Sequence, residues 1–220
     1  MHESLRGSEI ATLLWDANAI HIGRAQPFIL AAGWASPVYV DCRRLIDAPA
    51  HRQNVTEIAV QYISQRLQGV SFDAIVGTET AGLPFAAWIA DALSMRLRYV
   101  RKRPLGIGCN SQVEGGDVAG LNVLIMDDQT TDARGKVAFA RGLRTAGARV
   151  QHVLTIFYHD AFPGANERLE QADLKLHTLT TWTNILETSV GRLDASDRKL
   201  IENFLSDPVD WSGRNGGRTA

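Results

Sequence analysis

Between residues 73 and 159 the sequence alternates between apolar, β-prone runs and runs with helical spacing, a pattern that few folds can accommodate. The runs rich in β-prone residues lie at 73–77, 97–101 and 122–128, with a longer one at 149–159. The runs with helical spacing lie at 83–93 and 136–147. Because strand–helix–strand connections join parallel strands, this order predicts an α/β fold with a central, mainly parallel sheet flanked by helices.

The flanking regions predict further elements. They are a capped helix at 8–19, a hairpin at 27–41, a helix at 50–67 and an edge strand at 176–182 followed by a short helix. We interpret residues 1–190 as one domain, long enough to bury a full core. Residues 191–220 are interpreted as a C-terminal helix followed by a flexible, disordered tail.

The composition excludes several classes of function. The 220 residues include 23 basic and 24 acidic side chains, a net charge of -1, so no nucleic-acid partner and no acidic membrane surface is expected. The two cysteines do not form a CxxC pair, and neither a signal peptide nor an apolar run of membrane length is apparent, so the expected location is cytoplasmic. The histidines lack metal-ligand spacing, so no protein metal site is predicted. The motifs GxGxxG, GxxxxGK[ST] and GxSxG are also missing.

Three loops follow predicted strands and are candidates for ligand binding, because ligands of open α/β sheets sit beyond the carboxyl ends of the strands. They are 77–82, the glycine-rich and basic stretch 102–120, and 127–136. The second is nineteen residues long, which favours a mobile functional loop over a passive linker. The third leads into a helix, whose free N–H groups near 131–136 are suited to a phosphate.

Two adjacent carboxylates, Asp127 and Asp128, end the apolar strand "NVLIM". Such a pair can be a solvated strand end or a cap for the next helix. At a strand-to-helix junction it can also accept hydrogen bonds from neighbouring sugar hydroxyls while the helix start holds the phosphate of that sugar.

Four sequence blocks extend this interpretation. They are "PFILAAGWASPVYVDCRRL" (27–45), "GTETAGLPFAAW" (77–88), "YVRKRPLGIGCNSQVEGG" (99–116) and "NVLIMDDQTTDARGK" (122–136). In this order they resemble the type I phosphoribosyltransferase family, and within it the orotate phosphoribosyltransferases common in alphaproteobacteria, over about residues 20–190. The resemblance implies the type I phosphoribosyltransferase fold with a small hood, formed by about 20–45 and C-terminal elements.

The resemblance also implies an activity and its partners. The enzyme would transfer the 5-phosphoribosyl group from phosphoribosyl diphosphate (PRPP) to orotate, giving orotidine 5'-monophosphate and diphosphate in pyrimidine (UMP) biosynthesis. Mg2+ would be bound together with PRPP. The family acts as a homodimer with shared active sites, in which the mobile loop reaches the partner's site.

Site residues follow from the resemblance by position. The PRPP-binding residues would be Thr80, Ala81, Arg101, Lys102, Asp127, Asp128, Gln129, Thr130, Thr131, Asp132, Ala133, Arg134 and Gly135. Of these, Asp127 and Asp128 would hold the ribose hydroxyls, Arg101 and Lys102 would neutralise the diphosphate, and all four would be catalytic. Orotate would lie beside Tyr39, Val40 and Thr131.

The sequence departs from the family pattern in both loops. Ala133 and Arg134 replace two glycines of the phosphate loop, while Leu105 and Cys109 replace basic residues of the mobile loop. If the glycines need positive φ, a Cβ there strains the site by about 1–3 kcal/mol; if they are helical, the change is tolerable and Arg134 could pair with phosphate. A weakly active or silent homologue that binds phosphoribosyl ligands, and a phosphoribosyltransferase for another base, therefore stay open as alternatives.

Overall fold

The structure is a computed structural model that describes residues 2–104, 106 and 111–219. Its first part contains, in chain order, α1 (His2–Asp16), β1 (Ile20–Ile22), β2 (Phe28–Ile29), β3 (Ala35–Ser36), β4 (Val38–Val40), a 3-10 helix (Cys42–Ile46) and α2 (Pro49–Arg66). β2 and β3 pair antiparallel around a turn at Gly33, whose φ is +86°, and β1 pairs antiparallel with β4. The predicted hairpin within 27–41 is therefore confirmed.

The central part alternates strands and helices as predicted. Its elements are β5 (Ala74–Thr78), α3 (Gly82–Ala92), β6 (Arg96–Val100), β7 (Val113–Glu114), β8 (Asn122–Thr130), α4 (Arg134–Thr145), β9 (Arg149–Tyr158), α5 (Ala165–Gln171), β10 (Lys175–Thr181) and α6 (Trp182–Glu187). The strands form one six-stranded sheet in the order β10-β9-β8-β5-β6-β7, and every pair is parallel except β6 with β7. The α/β fold and the edge position of β10 are confirmed.

Two apolar layers cover the two faces of this sheet, because successive residues of a strand point to opposite sides. In β8, Leu124 and Met126 face a cluster that includes residues of α1, α2 and α3. Val123 and Ile125 face the other cluster, which includes residues of α4 and α5. The central strands are thus buried on both faces, as parallel strands between helix layers must be.

Gly82 lets α3 start directly against β8. A Cβ at this position would lie 2.3 Å from the Met126 carbonyl oxygen and 2.9 Å from the Asp127 Cα, distances that side-chain atoms do not adopt. Any other residue would push the loop that follows β5 away from the loop that follows β8. The glycine therefore fixes the spacing of two of the three candidate loops.

The prediction of a disordered tail is wrong. After α7 (Ala195–Ser206) a second helix, α8 (Pro208–Arg214), places Trp211 against Phe204, with ring centroids 5.4 Å apart. Both helices pack on a cluster that we call the hood cluster, whose buried members are Leu30, Trp34, Phe162 and Phe204. The polar and glycine-rich composition of the C-terminal segment concealed Val209 and Trp211, two apolar residues whose packing partners come together only in the folded chain.

The long loop after β6 contains a short strand that the sequence did not predict, β7, which pairs with β6 at Val100 and Tyr99. Leu105 and Cys109 lie outside the described residues, so the predicted departures of the mobile loop are not placed by the structure. Within the described ranges, no helix combines the length and apolar character needed to cross a membrane.

Candidate active site

The three candidate loops meet at one edge of the sheet, because they follow the adjacent parallel strands β5, β6 and β8. The Glu79 amide donates to the Val100 carbonyl oxygen at 2.9 Å, and the Lys102 amide donates to a Glu79 carboxylate oxygen at 2.8 Å. Thr78 donates its hydroxyl to Asp127 at 2.5 Å. The residues Thr80 and Ala81, predicted to lie near diphosphate, stand in the turn between β5 and α3.

Asp127 is a buried carboxylate whose two oxygens are both bonded within the protein. One accepts from the Thr78 hydroxyl and from the Asp128 amide at 2.9 Å, and the other is bonded to the Lys136 ammonium group. The side chains of Asp127 and Lys136 are 9% and 7% exposed, so the ion pair is internal. Lys136 also donates to the Gln129 carbonyl oxygen at 2.7 Å. In this arrangement Asp127 fixes the end of β8 to the start of α4, a contact that the sequence prediction did not contain.

Asp128 is half-buried and has a perturbed acidity. Burial, followed by the negative charge of Asp127, raises the pKa of Asp128 to about 7, although Lys136 acts in the opposite direction. Its charge also contributes to raising the pKa values of Tyr39, in β4, and of Cys42, in the 3-10 helix. The 3-10 helix contacts β8 directly. A carboxylate poised between its charged and neutral forms is a typical functional-site group.

The turn between β8 and α4 answers the question raised by its two replaced glycines. Ala133 has φ +63° and ψ 1°, the left-handed region that favours glycine, and it is 1% exposed. Arg134 is the first residue of α4 and has no positive φ. A Cβ at Gly135 would meet nothing within 4 Å. Only the first replacement therefore strains the backbone, and the second is compatible with the helix.

Arg134 pairs with a side chain of its own turn. Its Nε lies 3.2 Å from a carboxylate oxygen of Asp132, whose side chain is only 3% exposed. The Arg168 guanidinium donates to the Asp132 carbonyl oxygen at 2.9 Å. Thr130 is anchored through its carbonyl oxygen, which accepts from the His159 amide at 3.0 Å, and the His159 ring lies 3.2 Å from the Gln129 side-chain oxygen.

The predicted base site is lined by aromatic rings. Tyr39 is stacked on His21 at 6.4 Å and tilted against Phe28 at 5.8 Å, and its hydroxyl accepts from Arg43 at 3.2 Å. Val40 is fully buried in the core, so only its backbone is available to a ligand. Burial raises the pKa of the Tyr39 hydroxyl, which keeps it a neutral donor.

The two basic residues at the start of the mobile loop are not oriented alike. Arg101 contacts Glu114 at 3.2 Å, the Tyr99 hydroxyl at 2.8 Å and Glu79 at 3.9 Å, so carboxylates already hold its guanidinium. Lys102 is exposed. Arg101 thus lies at the predicted edge of the sheet, but in a form that must exchange protein carboxylates for any anionic ligand.

Sequence reasoning missed several residues of this site, among them Lys136, Thr78 and Arg168. One signal was available for Lys136: it shares the buried face of α4 with Phe139, Ala140 and Leu143, a spacing that marks a lysine turned inwards. Among the residues that the structure describes, no three histidine, cysteine or carboxylate side chains are grouped in a way that could hold a metal ion by themselves.

The chain is similar to proteins of one known family. Residues 43–184 match the family model of the phosphoribosyl transferase domain. The chain is 41% identical to an orotate phosphoribosyltransferase of Allorhizobium ampelinum, over 94% of this chain and 91% of that protein. A protein of the same name from Rhizobium rhizogenes is also 41% identical, over 94% and 90%.

Solved structures show the same relationship. The orotate phosphoribosyltransferase of Aeropyrum pernix is 31% identical with a TM-score of 0.69, and the match covers 83% of this chain and 99% of that one. The UMP synthase of Leishmania donovani is 26% identical with a TM-score of 0.76, and the match covers 91% of this chain but 42% of the larger protein.

Proposed function

The chain belongs to the phosphoribosyltransferase family, and on that premise we propose that it is an orotate phosphoribosyltransferase. It transfers the 5-phosphoribosyl group from PRPP to a ring nitrogen of orotate, and diphosphate leaves the C1 carbon of the ribose. The observation that carries this function is the meeting of the phosphate turn, the Asp127–Asp128 pair and the aromatic segment around Tyr39 at one end of the sheet. Relatives that carry this name match nearly the whole chain.

The 5-phosphate of PRPP is assigned to the turn from Thr130 to Gly135. Here α4 begins, and its free N–H groups and positive dipole end favour a phosphate. Gly135 leaves open space beside the backbone, so the ligand can approach closely. Arg134 is nearly half exposed and can add a charge-assisted contact.

The ribose hydroxyls are assigned to the carboxylate pair, with a division of labour that the contacts suggest. Asp127 is occupied by Thr78 and Lys136, so it holds the strand end and orients its neighbour. Asp128 is the member assigned to the hydroxyls, because it can accept hydrogen bonds when ionised. We expect the ionised form to be the binding form.

Orotate is assigned to the segment around Tyr39, the Val40 backbone and Thr131. Orotate is planar and carries a carboxylate, so it needs both an apolar surface and a positive charge. Tyr39 and Phe28 offer rings, and Arg43 offers a guanidinium group beside the Tyr39 hydroxyl. That guanidinium group would exchange its ion pair with Asp41 for the carboxylate of orotate. This combination favours an anionic base over a neutral one.

The diphosphate is assigned to Thr80, Ala81, Arg101 and Lys102. Negative charge grows on the diphosphate as the bond to C1 breaks, so a cation placed there stabilises the transition state more than the ground state. Arg101 would leave Glu79 and Glu114 to do so. Closure of the loop would also exclude water from the electron-deficient sugar carbon.

We further propose that Mg2+ accompanies PRPP. The residues fit such an ion, because Asp128 supplies a carboxylate next to a second negative charge, and Mg2+ commonly takes one or two carboxylates together with substrate phosphates. When bound, Mg2+ would offset charge on the diphosphate.

A homodimer with shared sites and a cytoplasmic location are also parts of the proposal. In that dimer Lys102 would reach the site of the partner. Light scattering of the purified protein tests the dimer, and a monomer at assay concentrations would contradict the shared-site arrangement.

The decisive experiment incubates the purified protein with orotate, PRPP and Mg2+ and follows the loss of orotate absorbance. Uracil in place of orotate is the matched control for the carboxylate of the base. Loss of absorbance that requires PRPP supports the proposed function. Tight PRPP binding in calorimetry without turnover would contradict the enzymatic function, and turnover of uracil at an equal rate would contradict the assigned base.

A further inference from the structure

Three guanidinium groups surround the buried carboxylate of Asp132 in the phosphate turn. The same oxygen of Asp132 lies 3.2 Å from Arg134 Nε, 3.8 Å from Arg218 Nη1 and 3.9 Å from Arg168 Nη1. Arg134 begins α4, and Arg168 lies in α5. Arg218 comes from the segment after α8, which the sequence predicted to be disordered.

The segment that carries Arg218 is fixed by its backbone. The Arg218 amide donates to the Gly33 carbonyl oxygen at 2.7 Å, and its carbonyl oxygen accepts from the Ser212 hydroxyl at 2.7 Å. Ser212 itself accepts from the Ala35 amide at 2.9 Å. A Cβ on Gly217 would lie 2.2 Å from the Ala35 nitrogen, so only glycine permits this approach.

The Arg218 side chain is held by an aromatic ring. Its guanidinium carbon lies 5.0 Å from the centroid of Trp34, within the range of a cation–π contact. Trp34 is 1% exposed and is stacked on Phe162 at 4.8 Å. The guanidinium group is therefore aimed from the hood cluster towards Asp132, rather than free on the surface.

The charges in this group do not balance. One carboxylate faces three guanidinium groups, which leaves an excess of two positive charges among these four side chains. In addition, Arg218 Nη1 and the facing Asp132 oxygen are buried and form no hydrogen bond with any described residue. The other Asp132 oxygen accepts from the Arg134 amide at 3.3 Å, but a buried charged group with one polar atom left without a hydrogen bond is unfavourable unless another partner completes it. A phosphate group with nearly two negative charges at the adjacent start of α4 matches this excess.

We propose that Arg218 is a positioning residue for the 5-phosphate of PRPP. It holds the phosphate turn through Asp132, joins that turn to the hairpin at Gly33, and contributes to the positive charge that attracts the phosphate. This inference rests on the proposed function, because it assigns the 5-phosphate of the same substrate to this turn. The segment after α8 is then part of the substrate site rather than an appendage.

The test separates the two anionic ends of the substrate. Ribose 5-phosphate probes the phosphate turn, and inorganic diphosphate probes the loop after β5; both are titrated by calorimetry into wild type, Arg218→Gln and Arg218→Lys. The matched control is Arg214→Gln, because Arg214 is 76% exposed and pairs with Asp210 one turn away in α8. Melting temperatures show whether each variant is folded.

The expected result is a ribose 5-phosphate affinity about tenfold lower in Arg218→Gln, the scale of one lost charged contact. Diphosphate affinity should stay unchanged, and KM for PRPP should rise more than kcat falls. Arg218→Lys should recover part of the affinity, because it keeps the charge but not the planar contact with Trp34. Arg214→Gln should match wild type.

Two outcomes overturn different claims. Wild-type affinity of Arg218→Gln for ribose 5-phosphate, or an equal loss for both probes, would overturn the positioning role while the proposed function stands. If the wild type binds none of ribose 5-phosphate, diphosphate and PRPP, the proposed function itself fails.

Discussion

Replacing Ala133 by glycine should change stability far less than an ordinary buried alanine-to-glycine substitution. Ala133 lies at φ +63° and is 1% exposed. Glycine would relieve a left-handed strain of about 1–2 kcal/mol. It would also add unfolded-state entropy of about 0.4–1 kcal/mol and remove a buried methyl group of about 0.8 kcal/mol. These terms nearly cancel, so the free energy of unfolding should stay within about 1 kcal/mol of wild type.

Ala140→Gly is the matched control. Ala140 is also 1% exposed, but it lies inside α4 and has no positive φ. Glycine there relieves no strain, lowers helix propensity by about 1 kcal/mol and removes a similar methyl group, so the loss should be about 1.5–2 kcal/mol. The difference between the two variants reports the strain at residue 133.

Urea unfolding followed by circular dichroism measures both variants, with equal m-values as the condition for comparing them. We expect Ala133→Gly to be more stable than Ala140→Gly by about 1–2 kcal/mol. Equal losses in the two variants would refute the left-handed conformation of Ala133, and with it the argument that the replaced glycine strains the phosphate turn.

Three further predictions concern buried charges. The pKa of Asp128 is raised to about 7 and its ionised form is assigned to ribose, so wild-type kcat/KM for PRPP should rise with pH through about 7. Asp128→Asn should lose this inflection and most of the activity. An unchanged inflection in the variant would exclude Asp128 as its source. Lys136→Met leaves the Asp127 carboxylate buried without its cation, so the free energy of unfolding, measured in urea, should fall by about 3–5 kcal/mol. Adding Asp127→Asn should recover part of this loss. A loss below about 1 kcal/mol would contradict the internal ion pair. Burial lowers the pKa of His177 from 6.5 to about 4, so between these pH values the unfolded chain binds more protons than the folded chain, and the free energy of unfolding should fall as the pH falls through this range. Urea unfolding should show a smaller fall in His177→Gln. An identical fall in the variant would contradict the lowered pKa.

Most of the sheet could be predicted from the sequence, because its segments are local and periodic. The runs 73–77, 97–101 and 149–159 correspond to β5, β6 and β9 within one or two residues. β8 instead continues to Thr130, two residues beyond its prediction, because Gln129 and Thr130 pair with Phe157 and Tyr158 of β9. The polar residues at its end suggested a loop, but pairing with the neighbouring strand decided the boundary.

The sequence predicted which loops form the site but not the residues that hold those loops in place. The resemblance indicated which loops would come together, and the parallel order of β5, β6 and β8 explains why they do. The internal role of Asp127 depends on Lys136, and the neighbourhood of Asp132 depends on Arg218. The contact of Lys136 is visible in the sequence as a lysine on the apolar face of a predicted helix. The contact of Arg218 with Asp132 joins segments that are far apart in the chain and leaves no periodic signal in the sequence.

The pairing of Gly33 with Arg218 has a consequence for synthesis on the ribosome. All six strands of the sheet have been made by Thr181, so a nascent chain can begin to form the core while α7 and α8 are still to come. The hairpin that carries Gly33 must wait for its last partner until residue 218 has left the exit tunnel. The last contact of the phosphate turn therefore forms after all the strands of the sheet have been made, and a prematurely terminated chain would lack both that contact and the buried Ile201 of α7.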